Sequence, residues 1–169
     1  MGTPASPAVY TVAHIAVKIT GVTDSAPDQT SLLFKSCNPP TWQIEAPKNT
    51  FHGDGGQPVT LISAIQKATW GPMTLEQGWD TGFVLAKWKA TIDDATKAIT
   101  DKQKEVKVDF LQSDGTTILY SYHTLTGLLT SFTPGGSNPE SHMPLILNVT
   151  IEANDWDLYD ANGSPIAGV

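Results

Sequence analysis

Chemistry needs side chains that can hold a metal, move a proton or attack a carbon, and the histidines are the first place to look. His14, His52, His123 and His142 are spread along the chain, and none has a second ligand at helical or turn spacing, so no local zinc pair exists. Asp155, Asp157 and Asp160, followed by Asn162-Gly163, have the outline of a calcium loop. An EF-hand needs oxygen ligands at alternate positions, glycine at the sixth and a closing glutamate. Here Tyr159 holds the third ligand position and Asp160 the glycine position, and no glutamate closes the run. A solvated acidic strand end is the better reading. His52-Gly53-Asp54-Gly55-Gly56 has the glycines of a phosphate cradle, but no lysine follows at Walker spacing and no helix opens behind it.

The remaining nucleophiles are no better placed. Cys37 precedes Asn38-Pro39-Pro40 and has no evident histidine partner, and no serine sits in a G-x-S-x-G elbow. A hydrolase site would have to be assembled from distant residues such as His52, Asp54 and serines, for which the spacing gives only slight support. Met1-Gly2 with Ser6 formally fits a myristoylation pattern, and Asn148-Val149-Thr150 and Asn162-Gly163-Ser164 are formal sequons; all three read as chance matches. Five tryptophans could form a carbohydrate-stacking platform, but Trp42 on a strand face and Trp88 on a helix face are more simply core, while Trp70, Trp79 and Trp156 are left open. The expectation is a protein without catalytic residues, metal or cofactor.

The charge distribution narrows the partners. The net charge is −7, and every basic residue is a lysine. Lys87, Lys89, Lys97, Lys102, Lys104 and Lys107 cluster mid-chain; after Lys107 come only the acids Asp109, Asp114, Glu140, Glu152, Asp155, Asp157 and Asp160. Gripping DNA takes a basic patch, and reading guanine takes a bidentate arginine. Sequence-specific DNA binding is therefore not expected. An acidic surface past which DNA or protein slides without sticking fits better. The single cysteine excludes an intrachain disulfide and fits folding in a reducing cytosol. Met1 to Tyr10 lacks the basic and apolar regions of a secretory signal, and no run approaches the ~18 apolar residues of a membrane span.

The 169 residues favour one domain, which at this size buries roughly 70% of its unfolded surface without a staple. Only 16% of residues are charged, and Thr, Ser and Gly fill the gap, a bias toward strands and turns. Residues 1–9 read as a flexible arm, 10–160 as a single β domain, and 161–169 as a loose tail. Ile15, Val17 and Ile19 alternate with Ala16, Lys18 and Thr20, as in a half-buried strand. Gly21 to Thr30 is a polar turn region, and Leu32 to Phe34 a short apolar stretch. Trp42, Ile44 and Ala46 alternate again, Pro47 to Pro58 reads as a loop, and Val59 to Leu75 is β-like with a bend at Gly71-Pro72. Val84, Leu85, Trp88 and Ile92 then share one face of a helix over 81–92, with Asp80 as its N-cap and Lys87 and Lys89 toward its far end. Asp93 to Glu105 reads as a frayed helix or loop. Val106 to Phe110, the turn Ser113-Asp114-Gly115, Ile118 to Tyr122, Leu125 to Phe132 and Pro144 to Glu152 return to β. The expected fold is mainly β, with one α-helix among six or more antiparallel strands.

That order of elements resembles the phage tail tube protein family, which includes the inner tubes of contractile injection systems. The pieces that carry the likeness to contractile-type tubes are Met73-Thr74-Leu75-Glu76-Gln77-Gly78 leading into a helix with Leu85 and Trp88, then Val106 to Tyr122, and Leu145 to Asp155 as a closing strand. Leu125 to Phe132 followed by Pro134-Gly135-Gly136 is also similar to non-contractile tail tubes. The likeness covers Ile15 to Leu158 in pattern and order, with no signature string; Gly21 to Thr30 and Asp93 to Lys104 depart from it. The resemblance implies two packed antiparallel sheets flanked by the helix (a β-sandwich), and hexameric rings in which neighbouring sheets join into a continuous barrel around a lumen, stacked as a tube for DNA or protein cargo. It also implies sheath, baseplate and tail-terminator partners, no membrane, assembly in the bacterial cytoplasm, and residence in a virion tail or injection-system particle. Stacking needs a second contact, for which the arm and the loop Asn49 to Val59 are candidates, with Phe51, His52, Asp54, Gln57 and Val59 as contact residues and Trp42, Val84, Leu85 and Trp88 as core anchors. The alternatives are a non-catalytic glycan-binding β-sandwich and, within the family, a non-contractile tube or a baseplate tube-initiator subunit.

Overall fold

The computed structural model describes residues 14–22, 30–44, 48–52, 58–62, 68–78, 83–134 and 147–166. Among these residues, twelve strands and two helices follow one another: β1 (His14–Thr20), β2 (Thr30–Phe34), β3 (Ser36–Asn38), β4 (Trp42–Ile44), β5 (Lys48–His52), β6 (Pro58–Ile62), β7 (Ala68–Trp70), β8 (Met73–Gly78), α1 (Val84–Asp93), α2 (Ile99–Lys102), β9 (Lys104–Leu111), β10 (Ile118–Pro134), β11 (Leu147–Glu152) and β12 (Asp157–Asp160). All ladders are antiparallel.

Eight strands form one sheet, ordered β2-β1-β9-β10-β11-β8-β3, with β12 also on β10. The sheet has two halves because β10 belongs to both: Ile118 to Gly127 pairs with β9, and Leu128 to Pro134 pairs with β11. Register shifts between Thr124 and Gly127, and again between Leu129 and Ser131, mark bulges, which bend a strand and sharpen its twist. The chain crosses between the halves a second time at Lys35, whose amide donates to the Glu76 carbonyl between β2 on β1 and β3 on β8. The two expected sheets are thus continuous through β10. Among the described residues the ladder does not close into a barrel.

Period-two patterning fixes which side of each strand is buried. Ile15, Val17 and Ile19 of β1 meet Phe110, Val108 and Val106 of β9, and all six are buried. Met73 and Leu75 of β8 and Leu147, Val149 and Ile151 of β11 supply the other half, and Leu85 and Trp88 of α1 complete one cluster with Trp156. Fully burying an aliphatic side chain of this size contributes about 1.5–3 kcal/mol, so this shared cluster is the main force holding the halves together. Val84 is buried as well.

Several expectations are corrected. Trp42 is no core anchor: it is 47% exposed, because β4 pairs only with β7 in a two-stranded ribbon outside the eight-stranded sheet. The span read as a loop from Pro47 to Pro58 contains β5 and the start of β6, paired from Lys48–Ile62 to His52–Pro58; Pro58 is tolerated as the first residue of a strand. The described residues hold two helices, since Ile99–Lys102 forms a turn of helix inside the polar run. Phe83, in a left-handed conformation, occupies the N-cap of α1, while Asp80 lies outside the described residues. Within the tail, residues 161–166 fold back onto β12. The arm at 1–9 lies outside the described residues.

Candidate assembly edges

The contact candidates come together only through their strands. Phe51 faces Val59 across β5 and β6, and His52 faces Pro58. The side chains of Phe51, His52 and Val59, and all of Asp54 and Gln57, lie outside the described residues. Residues 53–57 connect the two strands in sequence, and β4 and β7, which flank them along the chain, form a second two-stranded ribbon. There Trp42 stands directly opposite Trp70, and the Gly71 amide donates to the Thr41 carbonyl at 2.7 Å. A two-stranded ribbon is marginal in water by itself.

A strand at the end of a ladder offers backbone donors and acceptors to another chain. The half built from β2-β1-β9-β10-β12 ends in two unlike strands. Among the described residues, β1 is the only ladder partner of β2, and Leu33 of β2 is 55% exposed. At the other end, β12 pairs with β10 through Asp160–Tyr120 and Asp157–His123. Its far side is occupied by the chain's own turn. Ile166 donates its amide to the Leu158 carbonyl at 2.8 Å, Asp160 donates to Ser164 at 2.9 Å, and Tyr159 bridges Pro165. The Asp160 carboxylate accepts the amides of Asn162 and Ser164, which organises the turn, and Gly163 supplies its left-handed residue. Of the residues read as an acidic strand end, Asp160 therefore acts on its own turn's backbone, while Asp155 accepts the Thr126 hydroxyl at 3.0 Å.

The outer face of the same half is polar and charge-paired. Lys18 and Lys107 are direct cross-strand neighbours, an arrangement that repels unless a counter-charge intervenes. Asp109, only 2% exposed, lies 3.2 Å from the Lys18 ammonium and 3.3 Å from that of Lys107. One row further, His123 Nε2 lies 2.9 Å from Glu105 Oε1 in a hollow of about 250 Å³ also lined by Lys107, Ser121, Tyr159 and Gly163. Spacing could have placed Lys18, Lys107 and Asp109 on one face, but the burial of Asp109 has no sequence signal. Among the described residues, no group of three His, Cys, Asp or Glu could hold a metal. Cys37 is half-buried, and burial pushes its thiol up to about 12, away from thiolate chemistry at neutral pH. No described helix is long and apolar enough to cross a membrane.

Solved structures give this fold a context. The chain is similar to a chain of the PVC sheath–tube complex of an extracellular contractile injection system in its extended state, with 14% identity and a TM-score of 0.58, covering 94% of this chain and 99% of that one. A chain from the tube-terminating cap of the anti-feeding prophage matches at 16% identity and a TM-score of 0.60, covering 95% and 97%. An Hcp protein matches at 11% identity and a TM-score of 0.52, covering 90% and 97%. At these identities the likeness is one of fold. No protein-family model and no curated protein matches the chain.

Proposed function

We propose that this chain is a structural subunit that assembles into hexameric rings stacked as the inner tube of a phage tail or contractile injection system. The observation that carries this reading is the end-to-end likeness of fold to a chain of the PVC sheath–tube complex, over 94% of one chain and 99% of the other. An exposed ladder end at β2 supports it, because a head-to-tail contact that closes gives a ring. The sheets of neighbouring subunits join into a continuous barrel, and the work is done by assembled shape, with no reacting side chain.

The tube is a conduit for DNA or protein cargo held without specific binding. The absence of arginine and the acidic run after Lys107 favour passage over capture. Sheath, baseplate and terminator proteins are the partners, and assembly takes place in the bacterial cytoplasm before the subunit resides in the particle. Negative-stain microscopy with light scattering of the purified chain tests the reading. Rings or tubes are expected; a monomer at every concentration up to the millimolar range overturns it.

Trp42, exposed and opposite Trp70, favours a second reading as a glycan-binding module. That reading requires a monomer whose tryptophan fluorescence shifts with sugars.

A further inference from the structure

We infer that the turn at 161–166 is a displaceable strap occupying the edge of β12 that strand β2 of a neighbouring copy takes on assembly. The inference rests on the ring reading and specifies its contact. A ring closed by head-to-tail pairing needs two unlike strand edges on each subunit, and the half-sheet β2-β1-β9-β10-β12 carries one at each end. Here those ends are β2 and β12, five and four residues long, so all four residues of β12 could find partners along β2. The β2 edge has no further ladder partner among the described residues, but the β12 edge is filled by its own chain through the Leu158 carbonyl and the Asp160 amide.

How the strap is held argues that it can leave. All six of its residues are exposed, so it contributes nothing to the buried cluster. Its attachments are three backbone hydrogen bonds to β12, one of them the Gly163 amide to the Asp160 carbonyl within the turn itself, and the capping of Asn162 and Ser164 by Asp160. Segments with solvent-exposed bonds and no apolar anchor open most readily. While in place, the strap blunts the edge, since Pro165 opposite Tyr159 has no amide to donate to a further strand. A subunit closed in this way stays soluble until a neighbour's β2 exchanges one set of strand bonds for another.

Two full-length variants in a Cys37→Ser background test this. Tyr159→Cys with Pro165→Cys places cysteines at directly opposed positions of an antiparallel bridge, a spacing that a disulfide spans. The oxidised form should remain a folded monomer by light scattering and circular dichroism, and reductant should restore rings or tubes. Asp160→Ala removes the turn's cap and should lower the concentration at which assembly begins roughly fivefold. Assembly of the oxidised form at the parent's onset concentration overturns the strap and leaves the ring reading standing. An unchanged onset for Asp160→Ala also overturns the strap, even where the double-cysteine chain fails to fold. If the parent, the reduced pair and Asp160→Ala all stay monomeric, the ring reading fails and the strap with it.

Discussion

Trp88 donates its indole N–H to the carbonyl oxygen of Lys102 at 2.7 Å, tying α1 to the end of α2 from a fully buried ring. Trp156, buried in the same cluster, has no hydrogen-bond partner for its indole nitrogen among the described residues. The two rings therefore separate packing from hydrogen bonding. Trp88→Phe loses both ring volume and the bond and should cost about 2–3 kcal/mol, whereas Trp156→Phe removes an unsatisfied donor and should cost less than about 1.5 kcal/mol. Urea unfolding of the two variants checks the order; equal losses would show that the Lys102 bond contributes nothing.

Gly78 ends β8 where the chain must pass against the Phe34 ring. A Cβ built there would lie 2.1 Å from Phe34 Cε1, closer than any real contact. Gly78→Ala should destabilise by about 1–3 kcal/mol through overpacking. Phe34→Leu alone also costs stability, but the double variant should recover part of the alanine's cost, a coupling of the size neighbours in contact show, about 0.5–3 kcal/mol. Additive losses in denaturant melts would place the clash elsewhere.

Asp114 makes the β9–β10 turn pH-sensitive. Its carboxylate accepts the Thr117 hydroxyl and the Thr117 and Thr116 amides, and these bonds, led by the Thr117 hydroxyl, hold it at about 2, below the ordinary 3.8. A carboxyl lowered on folding stabilises the folded state above its unfolded value, and that contribution disappears as pH falls from about 4 through about 2. Tm measured between pH 6 and pH 2 should fall more steeply for the parent than for Asp114→Ala, with the gap between them closing toward pH 2. A constant gap would mean the side chain acts without its charge.

The buried carboxylate on the outer face should matter more than either lysine. Asp109→Ala leaves Lys18 and Lys107 opposed without a counter-charge, and should cost about 1–3 kcal/mol, discounted from a fully buried pair because both lysines reach solvent. Lys107→Gln leaves the Lys18 contact intact and should cost under about 1 kcal/mol. The Asp109→Ala loss should shrink in high salt, which screens the lysine repulsion; urea titrations at two ionic strengths read this out.

What could be read in the sequence was local, and what could not depended on partners distant in the chain. Ile15-Val17-Ile19 and Val106-Val108-Phe110 alternate in strands buried on one side, and both patterns hold in the structure. Asp114-Gly115 marks its turn because the aspartate bonds locally and glycine takes positive φ. Trp42 misleads because alternation shows which residues share a face but not whether anything covers that face. The span from Lys48 to His52 hides its strand because polar residues and a nearby glycine cluster outweigh a pairing supplied by β6. Asp157–Asp160 reads as a solvated acid run because its ladder is supplied by β10, more than thirty positions earlier in the chain. The return of residues 161–166 onto β12 is hidden from patterning because, apart from the Asp160 carboxylate, backbone atoms that every residue carries make the bonds.

The β5–β6 hairpin carries the proposed stacking contact, and its connection can be shortened without unpairing it. His52 and Pro58 are the last ladder pair, so residues 53–57 form a five-residue link. Replacing them with Asn-Gly gives the two-residue turn that matches strand twist, leaving the ladder from Lys48–Ile62 to His52–Pro58 in register. The replacement removes Asp54 and Gln57 from the candidate contacts while Phe51, His52 and Val59 stay on their strands. The hairpin lies outside the eight-stranded sheet, so thermal stability of the subunit should change by less than about 1 kcal/mol. Rings should still close, since closure uses sheet edges, but microscopy should show single rings in place of tubes. Tubes of the parent's length would remove this link from the stacking interface and transfer that role to the N-terminal arm.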